Sequence, residues 1–215
     1  RGERSEPLNP TLRDAHEAGM KLYFVSRGEY KRRNDSAYLL ELGEKYGRSL
    51  VIPEGASNSL GIKGCSEIID HIHHHIGEAY DYLVLPCGTA ATMAGIVARA
   101  PQGKKVIGIS VLKAGNSLDT ELTRFLGVIG SGDKGLWQIE QAYHCGGYAK
   151  ISRDLNDFVC EFGHRYQIAL DHVYTGKCFL GLFDLIGKQI IPEGSRVVAI
   201  HTGGMQGERG MQGPL

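Results

Sequence analysis

The sequence predicts an α/β protein with an open, parallel sheet in two lobes, and three observations carry that prediction. Short runs rich in β-branched and apolar residues alternate with longer segments of helical period. The strongest runs, "DYLVLP" and "KVIGISV", lack clean apolar–polar alternation, so both of their faces are covered. Thirty glycines fall mostly at the ends of apolar runs, where turns need them.

The elements follow in chain order. Strands are predicted at "LYFVS" (22–26), "SLVIP" (49–53), "DYLVLP" (81–86), "KVIGISV" (105–111) and "RVVAIHT" (196–202). Helices are predicted near 34–46, 64–77, 91–99, 117–127, 154–168 and 176–187. In the second helix Cys65, Ile68, Ile69, Ile72 and Ile76 share one buried face. In the last, Phe179, Leu182, Phe183 and Ile186 do the same. Residues 1–48 read as the end of a small lobe and 49–215 as a larger one, with "PEGASNSLG" (53–61) as the loop between them.

Composition narrows the function. The 215 residues balance 24 basic against 24 acidic side chains, so no basic stripe points to nucleic acid. No apolar run approaches the ~20 residues that cross a membrane. Five cysteines, without a CxxC pair, suit a reducing, cytoplasmic setting better than a disulfide framework or zinc site. The chain opens "RGERSEPLNP", with no initiator Met, signal peptide or clear capping box, and reads as part of a longer protein.

The stretch "LVLPCGTAATMAG" (83–95) runs from a strand through a small-residue turn into a helix. In open α/β sheets ligands collect beyond the carboxyl ends of the strands, where a helix N-terminus presents free N–H groups. Gly88 lets backbone approach a guest, Thr89 and Thr92 offer hydroxyls, and Ala90 and Ala91 keep out of the way. A phosphate suits that turn. The plain alternative is a tight strand–helix connection, since there is no Walker lysine and no GxGxxG. In "HIHHHIGE", His71 and His75 have a metal-chelating spacing, yet they flank the isoleucine face and read as a solvated surface with no metal. Tyr174 and Thr175 precede a glycine and an amphipathic helix, "HTGG" (201–204) ends a strand, and Tyr148 follows a glycine pair. Each is weak singly.

Taken in order, "PEGASNSLGIKG", "LPCGTAATMAG", "HCGGYAK", "VYTGKCFLGLFDLI" and "VVAIHTGGMQG" resemble the 1-aminocyclopropane-1-carboxylate deaminase and D-cysteine desulfhydrase family over nearly the whole chain. The resemblance implies a pyridoxal 5′-phosphate (PLP) enzyme of the tryptophan-synthase-β-like fold type II, acting on a small amino acid as a homodimer. It implies that Gly88, Thr89, Ala90, Ala91 and Thr92 hold the cofactor phosphate. Tyr148 and Tyr174 match the family's two active-site tyrosines, Thr202 lies where the family approaches the pyridine nitrogen, and Asn58 falls at the active-site rim.

Members of that family that open the cyclopropane ring resemble one another in a Glu directly after the tyrosine numbered 174 here and a Leu before the glycine pair. This chain has Thr175 and Thr202 instead. A neutral hydroxyl leaves the pyridine ring a weaker electron sink than a carboxylate does, which still suffices for losing a thiolate. The two threonines therefore point to β-elimination from D-cysteine, giving pyruvate, ammonia and sulfide. The family's Schiff-base lysine sits in an upstream Gly-Asn-Lys motif, and none of the eleven lysines here matches it, Lys63 and Lys177 included. Three other readings stay open: 1-aminocyclopropane-1-carboxylate deamination, a non-catalytic homologue that binds PLP or phosphate, and a generic sugar-phosphate or nucleotide domain.

Overall fold

Four strands form one sheet: β1 (Tyr82–Cys87), β2 (Lys105–Ser110), β3 (Leu136–Glu140) and β4 (Val197–Ala199). Their spatial order is β3-β2-β1-β4, and every pairing is parallel. The computed structural model describes residues 8–47, 49–130 and 136–209. Residues 1–7, which open the chain, lie outside that range. The chain divides into two compact units, one of them Gly55–Glu208 and the other the remainder.

The sheet lies in the Gly55–Glu208 unit, with helices α4 (Ser59–Ile76), α5 (Ala91–Arg99), α6 (Ser117–Val128), α7 (Arg153–Tyr166) and α8 (Thr175–Gly187). Strand pleating divides the core between two faces. Leu83, Leu85 and Cys87 of β1 pack with Ile62, Ile69, Ile96 and Leu122 from α4, α5 and α6. Val84, Ile107 and Ile109 point the other way, onto Cys178, Leu182 and Leu185 of α8. Each such buried side chain contributes roughly 1.5–3 kcal/mol relative to exposure. Both faces are covered, as the unbroken apolar runs predict.

Several boundaries differ from the sequence-based expectation. Helix α4 starts at Ser59 rather than 64, because the Asn58 side chain accepts the Gly61 N–H at 2.9 Å and caps it. β3 is unanticipated: "LWQIE" is a partly exposed edge strand of five residues following a glycine-rich stretch, with little periodicity to read. The short α9 (Met205–Glu208) is likewise new.

In the other unit the expected strands at 22–26 and 49–53 are absent among the described residues. Tyr23, Leu50 and Ile52 stand exposed there. Aromatic and β-branched content measures fit to a half-buried pleated surface, and without a laddered neighbour it does not make a strand. Among its described residues this unit holds three helices, two of them unanticipated: α1 (Pro10–Glu17), α2 (Arg27–Lys31) and α3 (Ser36–Tyr46). Local capping explains all three. Asn9 accepts the Leu12 N–H with Pro10 at the first position, Ser26 and Glu29 form a capping box, and Asp35 caps α3.

Candidate functional site

The strand order reverses at β1: the chain moves outward through β2 and β3, then returns to β1's other side as β4. Such a switch point opens a crevice at the carboxyl ends of the two strands. A cavity of about 270 Å³ lies there, lined by Gly88, Thr89, Ala90 and Thr92 after β1, by Thr202, Gly203 and Gly204 after β4, and by Tyr174 and Gly55.

The turn after β1 is shaped for close approach. Ala90 sits in the left-handed region, φ 63°, which a non-glycine residue adopts at a cost of about 1 kcal/mol or more. As N-cap of α5 it supplies no side-chain bond, so the helix N-terminus lacks a side-chain cap and keeps its affinity for anions. A Cβ on Gly88 would lie 3.2 Å from the Tyr174 ring, so only glycine leaves the backbone bare there. Thr92 Oγ1 accepts a weak bond from the Cys65 thiol at 3.7 Å, leaving its own proton to give. Beneath the turn, burial pushes the Cys87 thiol up to about 12, with the Ala90 N–H pulling the other way. That cysteine is an inert wall.

Two more features suit an anionic guest. Ser57 Oγ is buried without a hydrogen-bond partner, and a Cβ on Gly55 would meet both it and Thr89 Oγ1, at 3.2 and 2.8 Å. An unsatisfied hydroxyl beside a hydroxyl-lined turn is a donor with no acceptor. Among the described residues the cavity lining contains no lysine, arginine, aspartate or glutamate. A phosphate ester fits this set: bare backbone, hydroxyls and a helix N-terminus, with no carboxylate to repel it.

The opposite wall rests on Asp171, which is fully buried. Its carboxylate accepts the N–H groups of Val173, Tyr174 and Thr175 and the Thr175 hydroxyl, at 2.6–2.9 Å. These bonds fix the backbone of Tyr174 at the start of α8. The same carboxylate lies against the loop after β4, since a Cβ on Gly204 (φ +106°) would fall 2.6 Å from it. His201 shapes that loop too. Its Nδ1 accepts the Gly203 N–H at 3.1 Å, which leaves Nε2 to donate to the Ala169 carbonyl at 2.9 Å.

Gly88, Thr89, Ala90, Thr92, Tyr174 and Thr202 thus line one cavity. Ala91 lies behind it as the first residue of α5, 2% exposed. Thr175 does not face the cavity: it is fully buried, and its hydroxyl donates to Asp171 while accepting the Asp171 N–H at 2.9 Å. Tyr148 is half exposed, its ring edge-on to Tyr174 at 6.1 Å between centroids. Asn58 caps α4. A ring nitrogen of His75 pairs with the His71 carbonyl one turn back at 2.8 Å. Asp171, Ser57 and Gly204 escaped the sequence reading, and Lys177 was weighed there only against the Schiff-base position. For Asp171 a signal existed, an Asp shortly before a helix start, a residue type whose side chain accepts backbone N–H groups a few residues on.

Comparison with known proteins is consistent with this geometry. Residues 9–203 match the family model described as pyridoxal-phosphate dependent enzyme. A Pyrococcus furiosus protein named putative 1-aminocyclopropane-1-carboxylate deaminase is 32% identical over 178 residues, covering 78% of this chain and 53% of that protein. The Arabidopsis thaliana bifunctional D-cysteine desulfhydrase/1-aminocyclopropane-1-carboxylate deaminase, mitochondrial, is 29% identical over 206 residues, 88% of this chain and 51% of that one. The chain spans about half the length of the curated relatives it matches. A crystal structure of an ACC deaminase homologue superimposes with TM-score 0.79 at 25% identity, covering 95% of this chain and 65% of that one. Processed threonine deaminase isoform 2 from Solanum lycopersicum, with TM-score 0.53, 17% identity and coverage of 93% and 60%, shares the fold. The chain belongs to the pyridoxal-phosphate dependent enzyme family, with the α/β architecture of its fold type II members.

Proposed function

We propose that this chain forms the cofactor cradle of a D-cysteine desulfhydrase-like lyase, releasing sulfide, pyruvate and ammonia from D-cysteine. The observation that carries the reading is the cavity at the switch point, lined by hydroxyls and bare backbone and, among the described residues, free of carboxylates. Bound PLP supplies an electron sink for breaking bonds at the amino acid's α-carbon. The protein's part is placement. Gly88 to Thr92 and the N-terminus of α5 hold the phosphate, Tyr174 packs over the turn, and Thr202 offers a neutral hydroxyl from the β4 side. Tyr148 and Tyr174 are proposed to act on the substrate side, where a phenol can hold or move a proton. Thr175 contributes differently from the sequence-based expectation: it keeps the Asp171 carboxylate occupied and out of the cavity.

A second reading, 1-aminocyclopropane-1-carboxylate deamination, is favoured by the names of the relatives, of which the plant protein is named for both activities. A third, a non-catalytic PLP-binding protein, is favoured by the lack of any described lysine in the cavity lining. Product assays separate the three. This chain with added PLP, and the chain joined to the lysine-bearing upstream part of a relative, are incubated with either substrate. The proposal expects sulfide and pyruvate from D-cysteine in the joined protein only. It also expects no pyridoxyl-lysine after borohydride reduction of the chain alone. A preference of the joined protein for the cyclopropane substrate would overturn the first reading. Inactivity of the joined protein, with PLP bound, would leave the third.

A further inference from the structure

Lys177, in the first turn of α8, is 0% exposed, which is rare for a lysine. Its Nζ donates to the Gly147 carbonyl at 2.7 Å, a bond between residues 30 apart in sequence. Burying an ammonium is costly, and a core position that needed only filling would take Leu or Met at no such cost. Gly146 and Gly147 have φ of 94° and 128°, backbone that only glycine adopts easily, in a turn closed locally by His144 and by the Lys150 N–H on the same Gly147 carbonyl at 3.1 Å, so the Lys177 bond is what ties this turn to α8. Tyr148 comes next, edge-on to Tyr174. Tyr174 itself is held through its backbone by Asp171 at 2.7 Å. One tyrosine is therefore fixed by a buried carboxylate, and the other hangs from a glycine pair whose carbonyl a buried ammonium grips.

We infer that Lys177 is a positioning residue, whose buried ammonium holds the Gly147 carbonyl and thereby sets the Tyr148 ring against Tyr174 at the mouth of the cavity. The consequence for ligand binding rests on the PLP reading of that cavity, whereas the geometric claim does not. Lys177 itself touches no ligand in this account.

The test uses the 215-residue chain labelled with 3-fluorotyrosine, whose ten tyrosines give 19F signals. Those of Tyr148 and Tyr174 are identified from Tyr148→Phe and Tyr174→Phe. Lys177→Met, similar in length but without a donor, is expected to shift or broaden these two signals and leave the others in place. Lys177→Gln, with a donor nitrogen one bond short, should give a smaller change in the same two signals. If the Met variant does not fold, the Gln variant decides. A second arm measures PLP affinity by titration. Lys177→Met should weaken it about tenfold, the scale of one lost aromatic contact, and should do nothing further in a Tyr148→Ala background. An unmoved Tyr148 signal, or an equal change in all ten, would overturn the inference, the latter by showing a general structural role. If the wild-type chain binds no PLP, the cofactor reading fails while the 19F arm still decides the role of Lys177.

Discussion

At the turn between β1 and α5 the cavity wall is backbone, kept bare by Gly88 and aimed by the left-handed Ala90. At the start of α8 the wall is the Tyr174 ring, whose backbone is held from behind by Asp171, a fully buried carboxylate outside the cavity lining. The first wall can bind directly, so its substitutions should change affinity with little change in stability. The second binds only through what it holds, so its substitutions should change stability first.

The sharpest break in that contrast is Asp171→Leu. It leaves the N–H groups of Val173, Tyr174 and Thr175 and the Thr175 hydroxyl without their acceptor, for a loss of about 3–5 kcal/mol in urea unfolding. Wild-type stability in this variant would mean that the network holds nothing. Gly204→Ala adds a methyl group 2.6 Å from that carboxylate at a φ of +106°, and should cost roughly 2–3 kcal/mol by the same measurement. Thr175→Val removes one donor to Asp171 and should cost about 1–2 kcal/mol. If it also left PLP affinity unchanged, Thr175 would be confined to support.

The smallest effect is a pH dependence. Burial lowers the Lys177 pKa, against the opposing influence of Cys145 and Asp171. The unfolded chain therefore binds more protons at this site, and stability should rise with pH between the lowered native value and the ordinary lysine value of about 10.4. The difference in melting temperature between wild type and Lys177→Met should move in favour of wild type across that range. A flat difference would mean that Lys177 titrates as an ordinary lysine.

The two walls also differ in how far the sequence disclosed them. "LVLPCGTAATMAG" declares its strand, turn and helix through apolar density and small residues, and α5 begins at Ala91 as expected. The start of α8 was placed within one residue, yet its chemistry was hidden. Asp171 and Lys177 are charged, and a charged residue beside a helix start looks solvated until tertiary packing buries it. Thr175 was expected at the cofactor from the family resemblance, since nothing in the sequence tells which way a hydroxyl turns. The strands at 22–26 and 49–53 failed because pairing is non-local: a run of suitable residues states a propensity and does not supply a neighbour. β3 failed conversely, as a short edge strand with weak alternation but a partner in β2.

The central claim is that the β1–α5 turn binds a phosphate through backbone and hydroxyls. The most direct measurement is calorimetric titration of the chain with PLP and with pyridoxal, which lacks the phosphate, repeated on Gly88→Asp and Ala90→Asp. The expected result is binding of PLP at least about a hundredfold tighter than pyridoxal, roughly 2.7 kcal/mol or more. Both aspartate variants should lose that advantage, because they place a carboxylate where the phosphate sits. Equal affinities for PLP and pyridoxal, or unchanged PLP binding in either variant, would contradict it.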